Sequence, residues 1–183
     1  YTLLLLAIQT GLRVSELTQM RWQDVRLGSG AHVRTHGKGR KDRCTPLTSQ
    51  TVAALRLRQR ELAPLPSDPA FPSRRGGPMS RDAVERLVTK YAALASPTCP
   101  SLKHKNVSPH TLRHTSAMQL LAAGVERTVL ALWLGHESIE TTEVYVHADL
   151  AIKERAIART APLPTAARRY KPADHLLAFL EAL

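Results

Sequence analysis

Residues 108–124 read SPHTLRHTSAMQLLAAG, and the fold class turns on them. Ser108 suits a helix N-cap, Pro109 suits the first helical position, and Gly124 suits the end, so the stretch predicts a helix. On it His110, Arg113 and His114 fall at i, i+3 and i+4. They share a face near the positively polarised N-terminus, where an anion is favoured. The spacing of the two histidines is that of a zinc-binding helix, but Arg113 puts a permanent cation beside any metal and the segment offers no carboxylate as general base. A phosphate suits the trio better: guanidinium is a planar fork matching two phosphate oxygens, and imidazole donates to a third or exchanges a proton with it. The plain alternative is a hydrogen-bonded polar helix face.

Working outward, VERTVLALWLG at 125–135 continues as helix, followed by HESIETTEVYVH, a helix in LAIKERAIART, a linker holding Pro162 and Pro164, and a short amphipathic helix in PADHLLAFLEAL, 172–183. Upstream, YTLLLLAIQT predicts a buried helix ended by Gly11. RVSELTQM predicts a second helix starting near Val14, with Glu16 in its first turn, where the dipole favours an acid, and Arg13 at its mouth. AHVRTHGKGRKDRCTPL alternates β-branched and polar residues on both sides of a glycine-rich basic tip, the pattern of a hairpin from which Lys38 and Arg40 project. SQTVAALRLRQREL returns to helix. Residues 63–79 hold five of the twelve prolines and predict a surface loop. Another helix is expected from about Ser80 to Ala95. The fold class is therefore mainly α with a small antiparallel β hairpin or sheet (α+β), with residues 1–160 as one domain and 161–183 as linker and terminal helix.

Composition restricts the partners. A chain of 183 residues, 43% hydrophobic, is long enough for one domain that buries about two thirds of its unfolded surface. Lys and Arg number 26 against 15 Asp and Glu, for a net charge of +11 and a pI near 10.4, and the excess is spread along the chain. Such a balance favours a polyanion, most simply nucleic acid; the plain alternative is a soluble domain that is merely basic. Cys44 and Cys99 are too few and too far apart for a disulfide framework or a zinc motif, and are expected to be reduced, buried small residues of a cytoplasmic protein. The apolar opening is too short for a membrane span and has no basic lead of a signal peptide. Starting at Tyr1 without a capping residue, the sequence is expected to be the later part of a longer chain.

TGLRVSELTQMRW, GKGRKDRCTPL, HTLRHTSAMQLLAAG and LGHESIETTEVYVH, in that order over residues 1 to about 150, resemble the boxes of the tyrosine recombinase (phage integrase) catalytic domain. The resemblance implies a mainly helical domain with a small sheet and a metal-free, cofactor-free DNA strand cleavage site. In it Arg13 and Arg113 clamp the scissile phosphate. Lys38 matches the lysine that protonates the departing 5′ oxygen, with Lys41 as the alternative. His110 matches the proton-exchanging histidine, His136 the one that hydrogen-bonds the phosphate, and Tyr145 the nucleophile. Glu16 matches an acid beside the first arginine, able to orient it, and His114 a supporting position. Arg40, Lys41, Lys103 and Lys105 are expected to contact the DNA backbone. The family's N-terminal core-binding domain, which closes around double-stranded DNA, has no counterpart in this sequence.

The proposed nucleophile has a definite cost. Ionising a phenol of pKa about 10 at pH 7 takes about 4 kcal/mol, which nearby cations or a proton acceptor must offset. A tyrosyl phosphodiester retains the energy of the broken bond, so rejoining needs no nucleotide. Two alternatives stand beside this one: a type IB topoisomerase-like enzyme, with similar catalytic residues, and a DNA-binding module of recombinase descent that has lost activity. The presence of all six polar residues opposes the latter. The apolar stripe of the last helix, Leu176, Leu177, Phe179 and Leu180, is expected to dock on its own domain or, given its tether, on another protomer in a synaptic complex.

Overall fold

The computed structural model describes residues 1–36 and 42–135, together with 154, 155, 157 and 158. Lys38, Arg40, Lys41, His136, Tyr145 and the terminal helix at 172–183 lie outside the described residues. Those described form helices α1 (Thr2–Thr10), α2 (Val14–Gln19), α3 (Ser49–Leu62), α4 (Arg81–Ala95), α5 (Pro109–Ala122) and α6 (Arg127–Leu134), with strands β1 (Val25–Arg26), β2 (His32–His36) and β3 (Asp42–Pro46). The fold class is as expected.

Local chemistry sets the helix ends. Thr48, Ser80 and Ser108 each accept a hydrogen bond at the N-cap from the amide three residues on, satisfying a donor the helix cannot. Gly11 and Gly135 close α1 and α6 in the left-handed conformation, φ +65° and +72°, with their amides bonded back to Ala7 and Ala131.

The sheet has the order β1-β2-β3, antiparallel throughout, with Val33 opposite Thr45 and Thr35 opposite Arg43. The hairpin is as predicted. The two-residue β1 adds a third strand that the sequence reading omits, because two residues carry no alternation to detect. With a side-chain period of two, Val33, Thr35, Arg43 and Thr45 face inward and are buried, while Arg34 and His36 face out. At the root of the hairpin, Asp42 receives Arg34 and, at 2.5 Å, His36, whose other nitrogen lies 3.8 Å from Asp24.

Two apolar clusters hold the domain. The larger joins α1, α2, the sheet, α3 and α4 through Leu3, Leu6, Leu17, Trp22, Val33, Leu55 and Val84; the smaller joins α5 and α6 through Leu120, Leu130 and Trp133. Trp133 is fully buried and donates its indole N–H to the Thr10 carbonyl at 2.8 Å, which ties α6 to the end of α1.

Two sequence expectations need correction. The proline-rich loop 63–79 is not wholly surface: Ala70 and Phe71 are buried in the larger cluster, Ala70 bonds to the Met20 carbonyl, and the Arg58 guanidinium lies 5.5 Å from the Phe71 ring centre. Prolines exclude regular structure but not burial, and here two apolar side chains between them reach the core. Cys44 and Cys99 are not joined in a disulfide and are only half-buried. Cys44 takes the outward parity of β3, and Cys99 precedes the 3-10 turn Pro100–His104.

Candidate functional site

The site is built where two helices end. At the C-terminus of α1, Gly11 presents its carbonyl to Arg113 Nη1 at 2.7 Å; at the C-terminus of α6, Leu134 presents its own to Arg113 Nη2 at 2.8 Å. Carbonyls at helix C-termini are partly negative and without intrahelical partners, so a guanidinium from α5 satisfies both and complements both dipoles. Two of its five donors are used in this way. Gly11 must be glycine here: a Cβ would press on Leu134 and Ser116 at 3.0 Å, and the positive φ disfavours any side chain.

Arg13 is the N-cap of α2. Its amide donates to Glu16 Oε2 at 2.7 Å, its Nη1 lies 3.4 Å from Glu16 Oε1, and its Nη2 donates to the Gly135 carbonyl at 3.3 Å. The side chain remains 41% exposed, so a ligand can reach it. Glu16 is buried and touches Arg13, and the guanidinium nearer to it is one the sequence reading missed. Arg43 on β3 grips it with two parallel bonds of 2.8 Å, Nη1 to Oε1 and Nη2 to Oε2. The available signal was the strand's parity, which places Arg43 with Thr45 on the inward face, where a lone cation needs an acid.

Three guanidinium charges against one carboxylate leave two positive charges in a half-buried place. The strain shows in Arg113, whose pKa is lowered to about 10, chiefly through burial and then through the charges of Arg13 and Arg43, with Glu16 opposing. It stays protonated at neutral pH. An anion between Arg13 and Arg113 would relieve that repulsion.

On the outer part of α5, His110 is exposed and His114 half-buried. Their Nε2 atoms lie 2.6 Å apart with rings edge to face, so one imidazole donates its proton to the other. Burial, then His110, then Arg113 lower the pKa of His114. The unfolded chain therefore binds a proton there more readily than the folded one. Stability is full above the unfolded pKa of about 6.5 and falls as pH drops through the folded value. His114→Gln is expected to lessen the loss of melting temperature between pH 7.5 and pH 5.5; an unchanged loss would show that the imidazole pair does not carry it.

Of the other residues singled out in the sequence, Lys103 and Lys105 are exposed at the 3-10 turn and its end, before α5. The structure thus brings together Arg13, Glu16 and Arg113, adds Arg43, and pairs His110 with His114. Among the described residues no group of three or more His, Cys, Asp or Glu side chains could hold a metal ion.

The domain is mainly helical with a small antiparallel sheet, and an arginine pair is fixed at its helix ends. Residues 1–151 match the phage integrase family, and the chain belongs to that family. It is 49% identical over its whole length to "Putative integrase/recombinase y4rC" of Sinorhizobium fredii, of which it covers 55%. Tyrosine recombinase XerC of Xanthomonas campestris pv. campestris is 39% identical over 80% of this chain and 44% of its own. In three dimensions, XerH site-specific recombinase bound to palindromic difH substrate, a post-cleavage complex, superposes with a TM-score of 0.63 at 27% identity, over 86% of this chain and 44% of its own. The chain thus spans about half the length of these relatives.

Proposed function

We propose that this chain is the catalytic domain of a site-specific recombinase that cuts and rejoins DNA strands through a 3′-phosphotyrosyl link. The observation that carries the reading is the pair Arg13 and Arg113, fixed on helix-end carbonyls with a local excess of two positive charges. A phosphodiester carries one negative charge and its pentacoordinate transition state two, so a preorganised cationic pair binds the transition state better than the ground state.

The remaining roles follow from the family's boxes. Tyr145 attacks phosphorus as His110 takes its proton; the phosphorus–5′ oxygen bond breaks as Lys38, with Lys41 as alternative, supplies a proton to that oxygen. His136 hydrogen-bonds a non-bridging oxygen. Glu16 orients Arg13, and His114 holds the His110 ring. Attack by a 5′ hydroxyl on the tyrosyl phosphodiester reverses the sequence without a nucleotide. Arg40, Lys41, Lys103 and Lys105 neutralise backbone phosphates of double-stranded DNA, consistent with the +11 charge. Residues 1–160 form the catalytic unit, and 161–183 tether a helix that docks on a second protomer. Among the described residues no helix is long and apolar enough to cross a membrane; the bacterial cytoplasm and nucleoid suit the substrate.

The test is to incubate the full-length protein in EDTA with a pool of nicked random-sequence DNA duplexes, from which a cleaved fragment can diffuse, and to resolve the products under denaturing conditions. Protein covalently bound to DNA is expected. Adduct that forms only after zinc or magnesium is restored would replace the cationic mechanism with a metal-dependent one.

A further inference from the structure

Arg43 belongs to none of the positions that the family's boxes implicate, yet it touches both groups that hold Arg13. Its guanidinium grips Glu16 at 2.8 Å through both terminal nitrogens, while the Arg13 side chain reaches the same carboxylate at 3.4 Å and its backbone amide at 2.7 Å. It also lies against Gly135, where a Cβ would overlap it, and the Gly135 carbonyl is the acceptor of Arg13 Nη2. Arg43 is 8% exposed and Arg13 side chain 41%, so one is fixed in the protein and the other faces solvent.

We infer that Arg43 is a positioning residue: by holding the Glu16 carboxylate and packing on Gly135, it sets where the Arg13 guanidinium meets the scissile phosphate. The inference rests on the recombinase reading. A buried carboxylate seeks its full complement of donors. With Arg43 in place, Glu16 is saturated and takes only the Arg13 amide and one weak contact from its side chain. Without Arg43 the carboxylate becomes an uncompensated buried charge, whose nearest cation is Arg13. Arg13 would turn inward onto it, away from the ligand. The fork geometry matters as much as the charge, since lysine offers one point and cannot hold both oxygens.

The experiment is a double-mutant cycle on the full-length protein, using DNA recovered from the wild-type covalent adduct as substrate. Single-turnover adduct formation and DNA retention are measured for wild type, Arg43→Met, Arg13→Ala and the double variant. Arg43→Met is expected to slow adduct formation on the order of 100-fold, the effect of misplacing a reacting group by about 1 Å. DNA retention should change little. In the Arg13→Ala background the same substitution should add nothing beyond about twofold, because the two act as one unit. A purely structural role would give losses that multiply, tracking melting temperature. Multiplying losses, or an Arg43→Met rate equal to wild type, overturns the inference. Should the Met variant not fold, Arg43→Lys runs the same cycle, with non-multiplying losses again required. Wild-type protein that forms no adduct at all sinks the recombinase reading itself; a wild-type adduct with an indifferent Arg43 sinks only the positioning role.

Discussion

Tyr145→Phe is expected to leave the protein folded and able to retain DNA, and to abolish covalent attachment. The substitution removes a single oxygen, the one proposed to form the bond to phosphorus, and keeps the aromatic ring. The lysines and histidines of the boxes cannot take its place, because their adducts with phosphate would be acid-labile phosphoramidates, not phosphodiesters. The wild-type phenol carries an ionisation cost of about 4 kcal/mol at pH 7. The proposed mechanism assigns part of the offset to an arginine cluster with two surplus charges and the rest to proton transfer to His110. The measurement is adduct yield on denaturing gels beside a melting curve and a DNA-retention assay. Residual adduct from the Phe variant would displace Tyr145 from its role; lost melting behaviour would show that the ring is structural.

How legible all this was in the sequence depends on the range of each interaction. Helix α5 announced itself because its signals are local: Ser108 caps its own helix, Pro109 sits where no amide partner is needed, and Gly124 takes φ +77° just past the end. The same holds for the hairpin, whose period-two pattern survives on both strands. Arg113 is legible from its face with His110 and His114, and Arg13 from the mouth of the second helix, while their pairing comes from the order of the boxes. Nothing in the spacing of residues 11, 113 and 134 says that one guanidinium bridges two helix ends, since that geometry exists only after α1, α5 and α6 pack. Arg43 was overlooked for the same reason. It is one of many basic residues around the hairpin, and what distinguishes it is a carboxylate 27 positions away. Phe71 in the proline-rich loop was misjudged because proline was taken as a sign of exposure, whereas proline only prevents the backbone from donating.

Arg113→Ala should have the largest combined effect on stability and activity, and the two can be separated. The truncation removes two charge-assisted bonds and leaves the carbonyls of Gly11 and Leu134 without that partner, a loss on the order of 3 kcal/mol. Part of this is returned, because Arg13 and Arg43 no longer face a third cation. For a domain of this size the net should lower the melting temperature by about 5 to 10 °C. Cleavage should fall about 10²- to 10³-fold or more, as when one donor to a developing oxyanion is removed. Arg113→Lys tells the two apart. Its ammonium can reach one helix-end carbonyl or the phosphate but not span them, so it should recover part of the melting temperature and little of the rate. The charge strain on Arg113 gives an independent readout. In wild type, inorganic phosphate should raise the melting temperature, since an anion bound to N alone stabilises it and here also relieves repulsion among three guanidiniums. In Arg113→Ala that gain should shrink markedly, because the remaining cations are already balanced more closely by Glu16. A phosphate-induced rise that is the same in both proteins would place the anion elsewhere on the basic surface and separate Arg113 from the phosphate site.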